Sequence, residues 1–240
     1  MRVAIMSDIH GYSLALDAVL ADLVDKGPFD HIVVAGDLCE VGPDPAGVLD
    51  RLRQLPFTVL QGNTDFDIAL AADGFHQSED LDFVLEEIGP EGAEWLRRLP
   101  RLVRVTPPGA ETARHDLLVC HANPHDLQRR MEPDMSDREL REVIGGTEAA
   151  VIAFGHHHVA FVREVDDVLL VDVSAVGNPK DEDLRCKYAI IEWDEATRRW
   201  SAEIRRIPYP LEATREQIRS SNLRNPERTL AKLERASYRR

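Results

Sequence analysis

Cysteine is scarce. Three residues in 240, Cys39, Cys120 and Cys186, are odd in number, far apart and without a CxxC pair. No disulfide framework or thiolate zinc site follows from such a set, and the expectation is a reducing compartment, the cytoplasm. Long apolar runs are missing as well. None approaches the roughly 20 residues that span a bilayer. The opening MRVAIMSDIHG is too short an apolar run for a signal peptide. It reads as a buried first strand, and no membrane partner is expected. Positive charge is in short supply: 29 Lys and Arg stand against 43 Asp and Glu, a formal net charge of -14. Such a surface repels a nucleic-acid backbone, which disfavours nucleic acid as a partner. There is no internal repeat or low-complexity linker. With 43% hydrophobic residues, a sizeable core is available, and residues 1–240 read as a single domain.

The charge is unevenly spread. Residues 211–240 hold eight Arg and Lys against four Glu. A basic helical tail of this kind can meet RNA or an anionic substrate, or it can dock its charged face on an acidic body. Docking is the reading adopted here.

Along the chain, apolar periodicity gives strands at Arg2–Met6, His31–Ala35 and Phe57–Leu60. They alternate with a helix carrying Leu16, Val19, Leu20, Leu23 and Val24 and with a helix near 46–55. Ser13 is the expected N-cap of the first helix and Gly27-Pro28 its end. This βαβαβ order implies parallel crossovers. Residues 66–99 read as a helical insertion broken by Gly74, Gly89 and Pro90. From 101 onward strands dominate, at about 101–105, 117–120, 151–154, 160–165, 168–173, 187–193 and 200–207. Asp166-Asp167 forms a hairpin turn, one helix lies near 136–144, and residues 211–240 return to helix. The fold class is α/β, with two sheets flanked by helices.

Polar residues fall at the strand ends. Asp8 and His10 follow strand one in SDIHG, Asp37 follows strand two in AGDLCEVGP, and Asn63 and Asp65 follow strand three in QGNTD. His121 lies in LVCHANP, and His156, His157 and His158 in AFGHHH. Singly, each has a plain explanation: an Asp caps a helix, an Asn makes a turn, a His satisfies a hydrogen bond. Together, five strand ends deliver Asp, His and Asn to the edge where open α/β sheets bind ligands. Oxygen and imidazole donors without thiolate suit divalent ions such as Mn, Fe, Zn, Mg or Ni. Two ions at roughly 3.5–4 Å need a bridging carboxylate, and Asp37 suits that place.

The set Asp8-x-His10, Gly36-Asp37, Gly62-Asn63-x-Asp65, His121 and Gly155-His156-x-His158 resembles the calcineurin-like metallophosphoesterase superfamily, motif for motif and in order. GDLCEVGPDPAGVLD, SAVGNPKDEDLRCKYAIIEWD and the PYPLEATREQIR tail look like its small bacterial YfcE-type branch. The resemblance implies two mixed sheets packed face to face with helices outside, a four-layer α/β/β/α sandwich. It implies that Asp8, His10 and His158 hold one metal and Asn63, His121 and His156 a second, with Asp37 between them. Asp37, Asn63 and His121 then form the catalytic set, acting through metal-bound hydroxide without a covalent enzyme intermediate. The implied substrate is a phosphate diester or monoester of a small molecule, or a nucleotide.

Two departures stand out. Many members carry His after the Asn of the third motif, where it can protonate the leaving group; here the residue is Thr64. HANP replaces the more usual HGSP or HGH, so Ala122 and Asn123 change the loop that approaches phosphate. His125, four residues beyond His121, is carried forward with Asn63 as a substrate-contact candidate and replacement acid. Asp65 is expected either to orient a ligand histidine or to cap a helix. His157 is expected to point away from the metals. His31, His76 and His115 read as structural or solvated, and the cysteines as packing residues. The alternatives are a dinucleoside polyphosphate hydrolase, with 66–99 as its nucleotide-side wall, and an interaction scaffold on the same fold. A homo-oligomer is left open.

Overall fold

The computed structural model describes residues 1–75 and 78–238. His76 and the last two positions of the tail therefore lie outside the described residues. Among these residues, strands β1 (Arg2–Met6), β2 (His31–Val34) and β3 (Thr58–Val59) run parallel. The antiparallel pair β9 (Cys186–Asp194) and β10 (Arg199–Ile207) extends them into a five-stranded sheet of order β10-β9-β1-β2-β3. A second five-stranded sheet has the order β4-β5-β6-β8-β7. Its strands are β4 (Leu102–Val105), β5 (Leu117–Cys120), β6 (Val151–Phe154), β7 (Phe161–Val165) and β8 (Val168–Asp172).

The layers follow from period-two alternation. Val3 and Ile5 of β1 enter one core with Leu117, Val119, Val151 and Ala153, the side chains between the two sheets. Ala4 and Met6 face the other way, into a core shared with Leu16, Leu49, Leu52 and Val84. Leu118, Cys120, Ile152 and Phe154 likewise turn outward onto Leu140 and Val143. A one-residue slip in any of these strands would exchange the two cores, so register is strongly fixed. Truncating fully buried Leu16 to alanine would cost about 2–5 kcal/mol.

Helices α1 (Ser13–Lys26), α2 (Pro45–Arg53), α3 (Asn63–Ala72) and α4 (Glu79–Arg97) cover the outer face of the first sheet. Helices α6 (Leu211–Ser220) and α7 (Pro226–Arg235) join that layer through Ile218, Leu230 and Leu233. Helix α5 (Asp137–Ile144) covers the second sheet, its start closed by a Ser136–Glu139 capping box. The result is the expected four-layer α/β/β/α sandwich of two mixed sheets. No described helix is long and apolar enough to cross a membrane.

Two details differ from the sequence expectation. Ser13 is the first residue of α1 rather than its cap; Tyr12 holds the cap position without a side-chain bond, and Ser13 Oγ instead accepts from Gln217. Helical structure after β3 begins at Asn63, not 66, because Asp65 in the first turn accepts the Gly62 N–H and closes the helix start there. The breaks fall as the sequence implied, with Gly89 (φ 64) dividing α4. The tail docks on α4 as expected, Arg224 meeting Glu86 at 2.8 Å and Arg228 meeting Asp80 at 3.5 Å.

Candidate metal centre

Strands β1, β2, β3, β5 and β6 all end at one edge, and the loops leaving them are laced together. Asp8 N–H donates to the Gly36 carbonyl at 2.9 Å, His10 N–H to that of Asp37 at 2.9 Å, and Gly155 N–H to that of His121 at 2.9 Å. The turns are tight enough that Asp8, His10, Asp37, His156 and His158 all adopt positive φ, between 52° and 67°. Each such non-glycine residue costs on the order of 1–3 kcal/mol, and strain of this kind gathers where side chains must be aimed. At Gly155 a side chain would overlap the Asp8 carboxylate and Ser7.

Seven side chains meet there in two sets. Ligand atoms of Asp8, His10 and His158 lie within 4.8 Å of one another, as do those of Asp37, His121 and His156. Asn63 joins the second set, its Oδ1 at 2.9 Å from His121 Nε2. Asp37 touches both, with Oδ2 at 3.7 Å from His10 Nε2 and Oδ1 at 3.4 Å from His121 Nε2. This is the partition that the resemblance implies.

The far sides of the rings reveal what the near sides lack. His10 Nδ1 donates to the Glu40 carbonyl at 2.9 Å and His158 Nδ1 to that of Asn178 at 2.7 Å. Both protons are thereby placed away from the centre. The two Nε2 atoms then face each other as lone pairs at 3.1 Å, with buried Asp8 Oδ1 beside them lacking a hydrogen-bond donor. His121 Nδ1 donates to the Ala35 carbonyl at 2.8 Å, and His156 Nε2 to that of Gln128 at 3.0 Å. In the Asp8–His10–His158 set, acceptor atoms converging without donors form a hole shaped for a cation, and in both sets the outer carbonyls are the groups that orient metal-binding imidazoles. The donor set fits divalent ions.

Electrostatics agree. Burial takes His10 down to about 4, and burial with His121 nearby does the same to His156, so both rings are neutral, as ligands must be. At His121 burial works downward, yet Asp37 and Asp8 push it up to about 10. A proton there balances the carboxylates in the absence of a cation.

The neighbours take defined places. Asp65 bonds no histidine among the described residues. Its carboxylate accepts from the backbone N–H groups of Asp37 (2.8 Å), Leu38 (3.0 Å) and Gly62 (2.8 Å), clamping two ligand loops together. Thr64 N–H donates to Asp37 Oδ1 at 2.9 Å, while its hydroxyl is buried without a partner. Asn123 accepts from the N–H groups of His125 and Asp126 and donates to the Arg129 carbonyl, so it braces the loop that carries Gln128 and Arg130. His125 is set apart: its Nε2 meets the Ile144 carbonyl at 2.9 Å, and it lines a different cleft, with Thr147 and Pro124. His157 points away and stacks on Tyr238, rings 5.1 Å apart and 13° from parallel. His31 is exposed, and the His115 carbonyl accepts from Trp200. All three cysteines are buried and free.

Asp37, Asn63, His156 and His158 line a cleft of about 330 Å³ whose wall includes Arg130, Lys180, Lys232, Arg235 and Tyr238. Sequence reading did not place these five residues at the site. The surplus of positive charge in the tail is the available signal, and in the sequence it favours docking on the acidic body.

The domain model of the calcineurin-like phosphoesterase superfamily matches residues 1–196. The crystal structure of a metallophosphoesterase from Sphaerobacter thermophilus superposes with a TM-score of 0.74 at 25% identity, covering 98% of this chain and 99% of that one. An uncharacterized protein of Methanocaldococcus jannaschii is 25% identical over 242 residues, 92% of this chain and 93% of its own. A symmetrical bis(5'-nucleosyl)-tetraphosphatase of an Acidovorax species is 34% identical over 128 residues. That match spans 51% of this chain and 44% of the enzyme.

Proposed function

The chain belongs to the calcineurin-like phosphoesterase superfamily, and from that premise we propose that it hydrolyses phosphate esters of small molecules with two divalent ions. The observation that carries this reading is the convergence of donor-less acceptors, His10 Nε2, His158 Nε2 and Asp8 Oδ1, beside an Asp37 that reaches both sets. A scaffold has no use for buried lone pairs pointed at one another. Asp8, His10 and His158 would hold one ion, Asn63, His121 and His156 the other, with Asp37 between them. Ions so held supply acidity to a water and offset the charge of the phosphoryl oxygens.

The protein itself contributes position. The carbonyls of Glu40, Asn178, Ala35 and Gln128 lock the imidazoles in place, and the Asp65 clamp keeps Asp37 between the sets. The arrangement therefore needs little reorganisation as charge develops. Thr64 cannot protonate the leaving group near neutrality, and His125 faces another cleft. Rates should then follow leaving-group acidity. Nitrophenyl phosphates and phosphoanhydrides should turn over well, and simple alkyl phosphates poorly. A dinucleoside polyphosphate is a second reading, supported by the likeness to the Acidovorax enzyme across half of this chain.

The test is a panel of Mn²⁺, Mg²⁺, Fe²⁺ and Zn²⁺ against nitrophenyl phosphate, bis-nitrophenyl phosphate and diadenosine tetraphosphate. Metal-dependent turnover abolished by chelation is expected. No turnover with any metal and substrate would refute the proposal.

A further inference from the structure

The tail lies beyond the family-matched segment, residues 1–196, and carries two kinds of cation. Arg224 and Arg228 are paired with Glu86 and Asp80 on α4. Lys232 and Arg235, three residues apart on α7, instead line the metal-site cleft together with Arg130 and Lys180. Asp37 is the one carboxylate among the described residues that line it. Lys180 feels the crowding: burial first, then Lys232 and Arg235, bring it down to about 8.

This wall is held in place. Fully buried Lys187 donates to Asp181 Oδ1 (2.9 Å) and to the carbonyls of Asp183 (2.7 Å) and Arg185 (3.0 Å). The loop so pinned pairs with the tail through an Asp181–Ser237 bridge, and Glu182 N–H donates to the Ala236 carbonyl at 2.8 Å. Lys180 N–H donates to the carbonyl of His158 at 3.0 Å. One loop therefore connects the tail to a residue of the metal cradle.

Four cations converging beside the cradle exceed what one phosphate needs, since that phosphate would already be neutralised below. Lysine and arginine grouped in a cleft favour a polyanion that continues outward. We propose that Arg130, Lys180, Lys232 and Arg235 form a subsite for the phosphates next to the scissile one. The substrate is then a chain of phosphates joined by anhydride bonds, nucleoside-linked or inorganic. This rests on the phosphoesterase reading and explains why position 64 can be Thr. Water gives its oxygen to the attacked phosphorus and its proton to solvent. The bridging P–O bond breaks, and its electron pair leaves on the neighbouring phosphate, where the cations offset the charge. Such a leaving group needs no proton from position 64.

Two measurements test the subsite separately from the activity. In the first, metal-free protein is titrated calorimetrically with inorganic tripolyphosphate and with orthophosphate. Tripolyphosphate should bind tighter by on the order of tenfold or more, and the double variant Lys232→Gln/Arg235→Gln should lose that preference while Arg219→Gln keeps it. Should the tail variant fail to fold, Arg130→Gln/Lys180→Gln on the opposite elements should show the same loss. In the second, with metal present, the tail variant should raise KM for diadenosine tetraphosphate on the order of tenfold, and raise KM for nitrophenyl phosphate much less. Comparing tripolyphosphate with diadenosine tetraphosphate as substrates tells a bare chain from a nucleoside-linked one. Equal affinity for the two inorganic anions, or tighter binding of a single-stranded RNA oligomer, overturns the subsite whatever the activity. A tripolyphosphate preference in a protein that hydrolyses nothing leaves the subsite standing and overturns the enzyme reading.

Discussion

The floor and the wall of the cleft are built by opposite means. The floor comes from five strand ends, is buried, and holds five of its residues at positive φ in loops laced to one another. The wall comes from α7, the 121–130 loop and the segment after His158, and its side chains are half-buried or exposed. Rigid strand ends suit chemistry that tolerates little displacement. An appended helix can change what is admitted without disturbing them. On the proposed function the floor carries turnover and the wall selection, and each role can be broken by experiment.

The largest effect is expected at the floor. Asp37→Ala should lower kcat on the order of 10³-fold or more under saturating metal, since it removes the group shared by both sets. Retention of wild-type turnover would break the comparison at its root. Next comes Gly155→Ala, where the added methyl meets Asp8 and Ser7. Overpacking of this kind should cost about 1–3 kcal/mol in urea unfolding and weaken metal binding, although no ligand has been touched.

How much of this was legible in the sequence differs between the same two regions. The floor could be read because every proposed ligand follows an apolar run whose period defines a strand, so position along the chain implies position in space. Nearly every strand began and ended within a residue or two of its pattern. β3 loses one residue at each end, since its pairing with β2 covers two positions; among the helices, Asp65 advances the start of α3 by closing its first turn. The wall could not be read, because the direction in which Lys232 and Arg235 point depends on how α7 packs. The periodicity of α7 shows that Leu230 and Leu233 go inward but not which exposed flank meets the site. Asp65 illustrates a further limit. A carboxylate near histidines suggests a bond to one of them, whereas its partners are backbone N–H groups of two loops.

A smaller effect separates the regions by salt. Raising ionic strength from 50 to 500 mM, estimated to shorten the screening length from roughly 14 to 4 Å, should raise KM for diadenosine tetraphosphate clearly more than for nitrophenyl phosphate. Kinetics at matched free metal would show it, and equal responses would remove the wall from substrate selection.

Proton linkage gives a subtler signature of the floor. His121 is pushed up to about 10 when no cation is present, so at pH 7 an arriving ion must displace its proton. Metal binding should release about one proton, read as a dependence of calorimetric enthalpy on buffer ionisation. Metal-free stability should carry the same signs. The raised His121 contributes below its unfolded value of 6.5 and is lost as pH rises through about 10. The lowered His10 and His156 make the folded state less stable as pH falls from 6.5 toward about 4, because the unfolded chain takes those protons first. The smallest change is expected for Cys39→Ser. This thiol is buried in the outer core with its pKa pushed well up by burial, and most activity should survive.

The central claim is that the seven residues form a cradle for two cations bridged by Asp37. Elemental analysis of protein equilibrated with Mn²⁺ and freed of excess metal measures this most directly, with wild type beside Asp37→Ala and Asp8→Ala. The account predicts about two ions per wild-type chain, fewer in both variants, and a melting temperature that rises with metal in the wild type. A wild-type chain that retains no metal, or an Asp37→Ala chain that retains the full complement, would contradict it.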